Sequence, residues 1–280
     1  MPAERDVDQF ARLIAALGPW LDQVVIIGGW AHRLYRLHDL AQALEYSPLT
    51  TLDTDVALPA KVLVQEQDIR DRLLANGFDE KLLGDHTPPV TRYSLGTDES
   101  GFYAEFLTPL VGSMHSRDKK SAATVRVGGV ATQRLRHLDL LLHAPWFVKI
   151  GASNGFPLAH PMTVRIPSAT AYIAQKVLVR QKRSAEERAK DLLYIHDTIE
   201  LFGRSLPSLH EEWRNTFQQQ LHPKAVRTIE RAGSVIFSHV DDISREAALM
   251  ATGRRLPADE ILEVCRAGWK QIFERSHVCM

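Results

Sequence analysis

The sequence is poor in the features that mark several common classes. It has two cysteines in 280 residues, Cys265 and Cys279, both near the C-terminus, so no disulfide framework staples the chain. It has no surplus charge: 34 basic residues against 34 acidic ones leave no global field to draw it onto nucleic acid or a membrane surface. Any polyanion must be held by a local patch. No apolar run approaches the length of a membrane span, and no signal peptide opens the sequence, so a cytoplasmic location without membrane partners is expected. Twelve histidines are scattered without zinc-finger or His-Glu-x-x-His spacing, and no metal is assigned to them. No repeat or low-complexity tract appears. The glycine pair Gly28-Gly29 fits neither G-x-G-x-x-G nor the P-loop spacing, which weakens dinucleotide and P-loop readings.

What is present is 45% apolar content, enough for real cores in one large domain or two modest ones. The organising stretch is 24–58. Val24-Val25-Ile26-Ile27 runs straight into Gly28-Gly29, and a helical pattern follows from Trp30 to about Leu44. An apolar run ending in glycines before a helix predicts strand–turn–helix, with backbone N–H groups available to an anion. The stretch closes on the alternating strand Thr51–Leu58, in which Asp53 and Asp55 share one face. Adjacent carboxylates repel, and a divalent cation between them relieves that repulsion.

Before this stretch, Val7, Phe10, Ile14 and Leu17 make one helical stripe. After it come a helix over 65–76 and strands at 78–82, 91–95 and 102–107. The third of these carries Glu105 between Ala104 and Phe106, an uncommon place for a carboxylate. Its plainer explanations are an edge-strand charge or the partner of an arginine. Loop 110–122, with Arg117, Lys119 and Lys120, leads to a hairpin over 124–134 around Gly128-Gly129. A short helix at 138–143 and strands at 146–150 and 162–166 complete this part.

From Ser168 the pattern turns helical. One helix is expected to about Arg183, and Ser184-Ala185-Glu186-Glu187 is a capping box for the next, to about Leu201. Ser208-Leu209-His210-Glu211 reads as a second box, and the last helix starts near Pro257. The expected organisation is an α/β (α+β) domain with a mixed sheet over 1–167 and an all-α domain over 168–280. Lys176, Arg180 and Arg183 stand at i, i+4 and i+7, one face of a continuous helix, where three cations repel unless an anion is near.

Gly28-Gly29, then Asp53-Thr54-Asp55, then Glu105 resembles the nucleotidyltransferase (polymerase-beta-like) superfamily. Ala31 after the glycines and Thr51 before Asp53 look like its bacterial branch of AbiEii- and MenT-type toxins. Glu105-Phe106-Leu107-Thr108-Pro109-Leu110 followed by Lys176, Arg180, Arg183 and Lys190-Asp191 is similar to uncharacterised bacterial nucleotidyltransferase-like proteins. The resemblance implies Gly28 and Gly29 at the triphosphate and Asp53, Asp55 and Glu105 at Mg²⁺ (or Mn²⁺). It implies Lys176, with Arg180 and Arg183, neutralising the triphosphate, and Asp191 orienting nucleotide or substrate. The implied reaction transfers NMP from an NTP to a hydroxyl of RNA (tRNA included), protein or a small molecule, in a toxin with an antitoxin partner or an antibiotic-modifying enzyme. A catalytically silent relative that binds nucleotide or a partner is the alternative.

The sequence also departs from the pattern. Trp30 follows the glycines where relatives carry a small residue, and either stacks on a base or packs. Tyr194 stands where a second helical aspartate is expected, and the long interval to Asp53 implies an extended helix or insertion around 41–49.

Overall fold

The computed structural model describes residues 2–63, 65–96, 101–110 and 123–274, and the loop cations Arg117, Lys119 and Lys120 lie outside them, as does Cys279. Two compact units are formed: residues 1–34 with 50–167, and residues 35–49 with 168–280.

The first unit opens with helix α1 (Pro2–Ala16), whose Phe10, Leu13 and Ile14 are buried, as is Leu17 just after it. The expected strand appears as β1 (Val25–Ile27) and runs into α2 (Gly28–Leu34), then β2 (Asp53–Ala57) and α3 (Ile69–Ala75). Asp68 starts α3 later than the apolar pattern suggests, because its carboxylate accepts the Asp71 N–H at 2.8 Å and caps the first turn. Strands β3 (Asp79–Leu83), β4 (Val90–Ser94), β5 (Tyr103–Pro109), β6 (Thr124–Val127) and β7 (Val130–Leu135) follow, then α4 (Leu138–Leu142). A separate antiparallel pair, β8 (Trp146–Ile150) and β9 (Met162–Ile166), closes the unit.

The sheet is mixed, in the order β1-β2-β5-β4-β3, with β7 also on β5 and β6 on β7. β5 runs parallel to β2 and β7 and antiparallel to β4. Along β2 the alternation sends Thr54 and Val56 to a fully buried face and leaves Asp53 and Asp55 on a half-buried one. Trp30 is fully buried and stacks on Phe10 at 3.8 Å between ring centroids. Of its two expected roles it takes packing, since a ring already sandwiched in the core has no face left for a base.

Residues 35–49 do not extend α2. A 3₁₀ turn over Tyr35–Leu37 ends the helix, and tertiary partners take the backbone groups that a longer one would need. Gln42 N–H donates to the Leu201 carbonyl at 2.8 Å, and Ser205 Oγ donates to the Leu40 carbonyl at 3.0 Å.

The second unit is otherwise helical: α5 (Ala169–Val179), α6 (Ala185–Leu201), α7 (Leu206–Glu212), α8 (Pro223–Ile236), α9 (Asp242–Met250) and α10 (Ala258–Phe273). The Ser184–Glu187 capping box forms as the sequence predicts. The one expected at Ser208 does not, because α7 begins at Leu206, with Pro207 in its first turn, and Ser208 lies inside it. Trp213, Phe217, Phe237 and Trp269 fill the core of this unit.

Candidate active site

Two independent demands make position 28 a glycine. Its φ is +65°, in the left-handed region that L side chains avoid, and a Cβ there would stand 2.4 Å from Asp55 Oδ2. The cause is register: β1 and β2 are antiparallel with Ile27 opposite Asp55, so the chain leaves β1 against that carboxylate. Gly28 is half-buried and Gly29 fully buried. The glycine bend and the aspartate strand are thus one local assembly.

Asp53, Asp55 and Glu105 lie on one face of the sheet. Asp55 pairs in register with Glu105 and Asp53 with Tyr103 across the parallel β2–β5 ladder. Across the antiparallel β4–β5 ladder, Glu105 pairs with Arg92 and Tyr103 with Ser94. Register partners point the same way, so one row reads Asp55, Glu105, Arg92 and the next Asp53, Tyr103, Ser94. Each acid is held. Thr51 Oγ1 donates to Asp53 Oδ1, and Arg92 Nε donates to Glu105 Oε1 in an ion pair. The Arg92 guanidinium also lies 4.5 Å from the centroid of the Tyr103 ring.

Arg92 is the residue that sequence reasoning passed over, although an arginine partner for Glu105 was among the plain alternatives. The signal was a cation alternating with buried Thr91 and Tyr93 on β4; what placed it opposite Glu105 was strand pairing. Burial lowers its pKa, but the Glu105 hydrogen bond and charge outweigh that and hold it above the ordinary value. Burial, then the Asp53 charge, raises the Tyr103 phenol, which stays protonated. With its side chain 42% exposed, the Arg92–Glu105 pair contributes ~0–1 kcal/mol and is exchangeable.

Three oxygen donors on one face are a hard-cation donor set that suits Mg²⁺ or Mn²⁺. Asp53 and Asp55 are half-buried, and Glu105 would exchange Arg92 for the ion.

In the second unit Lys176 lies in the last turn of α5 and is buried, with Nζ 2.5 Å from Asp191 Oδ1 on α6. The ammonium sits 4.6 Å from the ring centroids of both Tyr172 and Tyr194. Tyr194, in the place of an expected aspartate, therefore faces the cation with its ring. Burial lowers the Lys176 pKa, and Asp191 opposes it. The expectation of one helical face bearing Lys176, Arg180 and Arg183 is corrected. α5 stops at Val179, a 3₁₀ turn spans Arg180–Lys182, and Arg183 is extended, with φ −87° and ψ 144°. The capping box imposes this, because Ser184 must leave helical geometry to cap α6. Arg183 still approaches Asp191, Nε to Oδ2 at 3.6 Å, and binds Glu187 at 2.7 Å. Arg180 is half-buried, which lowers its pKa.

A sequence family described as nucleotidyltransferase matches residues 5–218, more than half of the chain and all of these residues. The protein belongs to that nucleotidyltransferase family. It is similar to a solved nucleotidyltransferase toxin, MenT4 of Mycobacterium tuberculosis H37Rv, at 14% identity and a TM-score of 0.39. The match covers 97% of this chain and 84% of that one, and assigns no residue role. No curated protein matches significantly.

This nucleotidyltransferase also holds a buried polar cluster that its scattered histidines did not announce. Among the described residues, the group of three whose metal-type ligand atoms all lie within 4.8 Å of one another is His196, Asp197 and Glu200, not the trio on the sheet. His196 Nδ1 is 2.8 Å from Asp197 Oδ1 and 3.6 Å from Glu200 Oε2. A cation is already there: Arg254 binds Asp197 through Nη2 and lies 3.7 Å from Glu200. Tyr46 donates to Glu200 at 2.5 Å, and Arg254 stacks 3.5 Å from the Tyr46 ring. The cluster therefore sets one guanidinium against two carboxylates and ties residues 35–49 to α6. Its only sequence trace is His-Asp-x-x-Glu on a helix, since Tyr46 and Arg254 come from distant segments. Among the described residues, no helix is long and apolar enough to cross a membrane.

Proposed function

We propose that this nucleotidyltransferase moves NMP from an NTP to an acceptor hydroxyl in a reaction that depends on Mg²⁺ or Mn²⁺ at Asp53, Asp55 and Glu105. One observation carries the reading: the three carboxylates lie on one sheet face, and Asp55 is packed against the positive-φ Gly28. Bound there, a divalent ion lowers the pKa of the acceptor hydroxyl and neutralises the pyrophosphate that leaves. Gly28 and Gly29 are assigned to the triphosphate, where a side chain would block close approach. The acceptor oxygen attacks the α-phosphorus in line, the bond to the bridging oxygen of the β-phosphate breaks, and pyrophosphate departs with that electron pair. Asp55 or Glu105 takes the hydroxyl proton. Thr51 fixes Asp53 through its hydrogen bond. Lys176, Arg180 and Arg183 are assigned to the triphosphate and Asp191 to orienting nucleotide or substrate, with Asp191 setting the position of Lys176. The toxin-like residues Ala31 and Thr51 extend the proposal to a cytoplasmic toxin held in check by an antitoxin.

The test is incubation with each labelled NTP, Mg²⁺ or Mn²⁺, and RNA, protein or metabolite fractions. Label enters one fraction, and Asp53→Asn or Asp55→Asn lowers transfer by at least about a hundredfold with circular dichroism unchanged. Full transfer by either variant removes the proposal. The Arg92–Glu105 ion pair favours a second reading, a relative that binds NTP with metal and transfers nothing. Metal-dependent NTP binding with no label in any fraction selects it.

A further inference from the structure

The geometry points to Arg92 as a residue that exchanges partners during substrate loading, releasing Glu105 and binding a phosphate oxygen of the incoming NTP. The inference rests on the nucleotidyltransferase reading of the Asp53, Asp55 and Glu105 face and deepens it.

Three observations carry it. Register fixes Arg92 beside Glu105, which itself pairs with Asp55, so the guanidinium stands in the row of acidic side chains. The ion pair uses Arg92 Nε and one Glu105 oxygen. Among the described residues the two terminal nitrogens have no hydrogen-bond partner, and a planar fork left open in this way matches a phosphate edge. Finally, the Tyr103 ring lies 4.5 Å under the guanidinium, so Arg92 can swing without losing all its contacts when Glu105 lets go.

Charge gives the exchange its direction. Asp53, Asp55 and Glu105 carry three negative charges on this face, and Arg92 one positive charge. With no other ion present, the guanidinium is the counter-charge for Glu105. A divalent cation taking the carboxylates cancels the remaining negative charge and displaces Arg92 from Glu105. The same cation then arrives with a polyanion, the triphosphate, which offers the displaced guanidinium a stronger acceptor. Arg92 therefore opposes the metal when nucleotide is absent and supports the nucleotide when metal is present.

Opposite signs in two binding measurements test this. Mn²⁺ binding without nucleotide, read by electron paramagnetic resonance, should tighten severalfold in Arg92→Met, because the competitor for Glu105 is gone. Binding of the four ribonucleoside triphosphates with Mg²⁺, read by equilibrium dialysis, should weaken about tenfold for the preferred one. Arg92→Lys, which keeps the charge but not the fork, should fall between, and it serves as the reporter if Arg92→Met does not fold. Unchanged nucleotide affinity in both variants, or weaker Mn²⁺ binding in Arg92→Met, overturns the assignment. Asp53→Asn and Asp55→Asn in the same dialysis separate the two levels. If both keep metal-dependent nucleotide binding, the reading of the face fails and the role of Arg92 with it. If both lose it while the Arg92 variants match the parent, the role of Arg92 alone fails.

Discussion

At Gly28 a left-handed backbone coincides with a carboxylate in the space a methyl group would need. The two effects can be separated, because Gly155 has φ +87° with nothing within 4 Å of a built Cβ. Gly155→Ala should cost about 1–2 kcal/mol from backbone strain alone and leave transfer intact. Gly28→Ala should cost more in denaturant unfolding and, by pushing Asp55 aside, also lower transfer. Equal losses of stability with transfer unaffected in both would show that the Gly28–Asp55 contact has no part in the site. Gly28, Asp53, Asp55 and Glu105 are legible in residue identity and motif order, since a diglycine after an apolar run and carboxylates on otherwise apolar strands are local signals. Arg92 was not legible in this way, because an arginine on a strand announces nothing until its cross-strand neighbour is known.

At the scale of elements, the sheet face is built by pairings between strands far apart in sequence. β5 joins β2, β4 and β7, and so brings Glu105 to Asp55 and Arg92 at once. Helix α3 is fastened to the far side of the sheet by a charge clamp: Arg70 on α3 binds both oxygens of Glu80 on β3, and Tyr93 on β4 donates to Glu80 at 2.9 Å. The Arg70 hydrogen bonds hold the Glu80 carboxyl below its ordinary 4.5, with burial opposing and Tyr93 assisting. A carboxyl with a depressed folded-state pKa binds its proton first in the unfolded chain as pH falls. The clamp therefore stabilises the fold above about pH 4.5, and that stability is lost as pH drops through the lower folded value. Glu80→Gln should melt below the parent at neutral pH, and the gap should narrow below pH 4.5. A gap of constant size from pH 7 to pH 3 would contradict the assignment. Local rules also predicted the Ser184 capping box correctly, yet this same cap ended the stripe expected of Lys176, Arg180 and Arg183.

At the scale of the whole molecule, the balance of 34 basic and 34 acidic residues leaves binding of an anionic nucleotide to local groups. On the proposed reading the Asp53, Asp55 and Glu105 face and a triphosphate are both anionic and meet through a divalent cation, so metal and nucleotide should stabilise the fold together. At about a hundred times the dissociation constant, ligation contributes ~2.7 kcal/mol, which raises the melting temperature by roughly 5 °C. Scanning calorimetry with Mg²⁺ and the preferred NTP should show that rise, and a chelator or Asp55→Asn should abolish it. An equal rise with chelator present would place nucleotide binding elsewhere.

The sequence by itself determined the strands, the glycine bend, the acidic positions, the later turn to helices and the nucleotidyltransferase resemblance. All of these are written in short-range periodicity and residue chemistry, which act between near neighbours. Tertiary structure alone decided that Arg92 neutralises Glu105 and that Tyr172 and Tyr194 flank Lys176. It also decided that residues 35–49 leave the helix and that Tyr46, His196, Asp197, Glu200 and Arg254 form one polar cluster. The reason is that a charge or a backbone amide takes its partner from whatever the fold brings within a few ångströms, and that partner can come from a segment more than two hundred residues away.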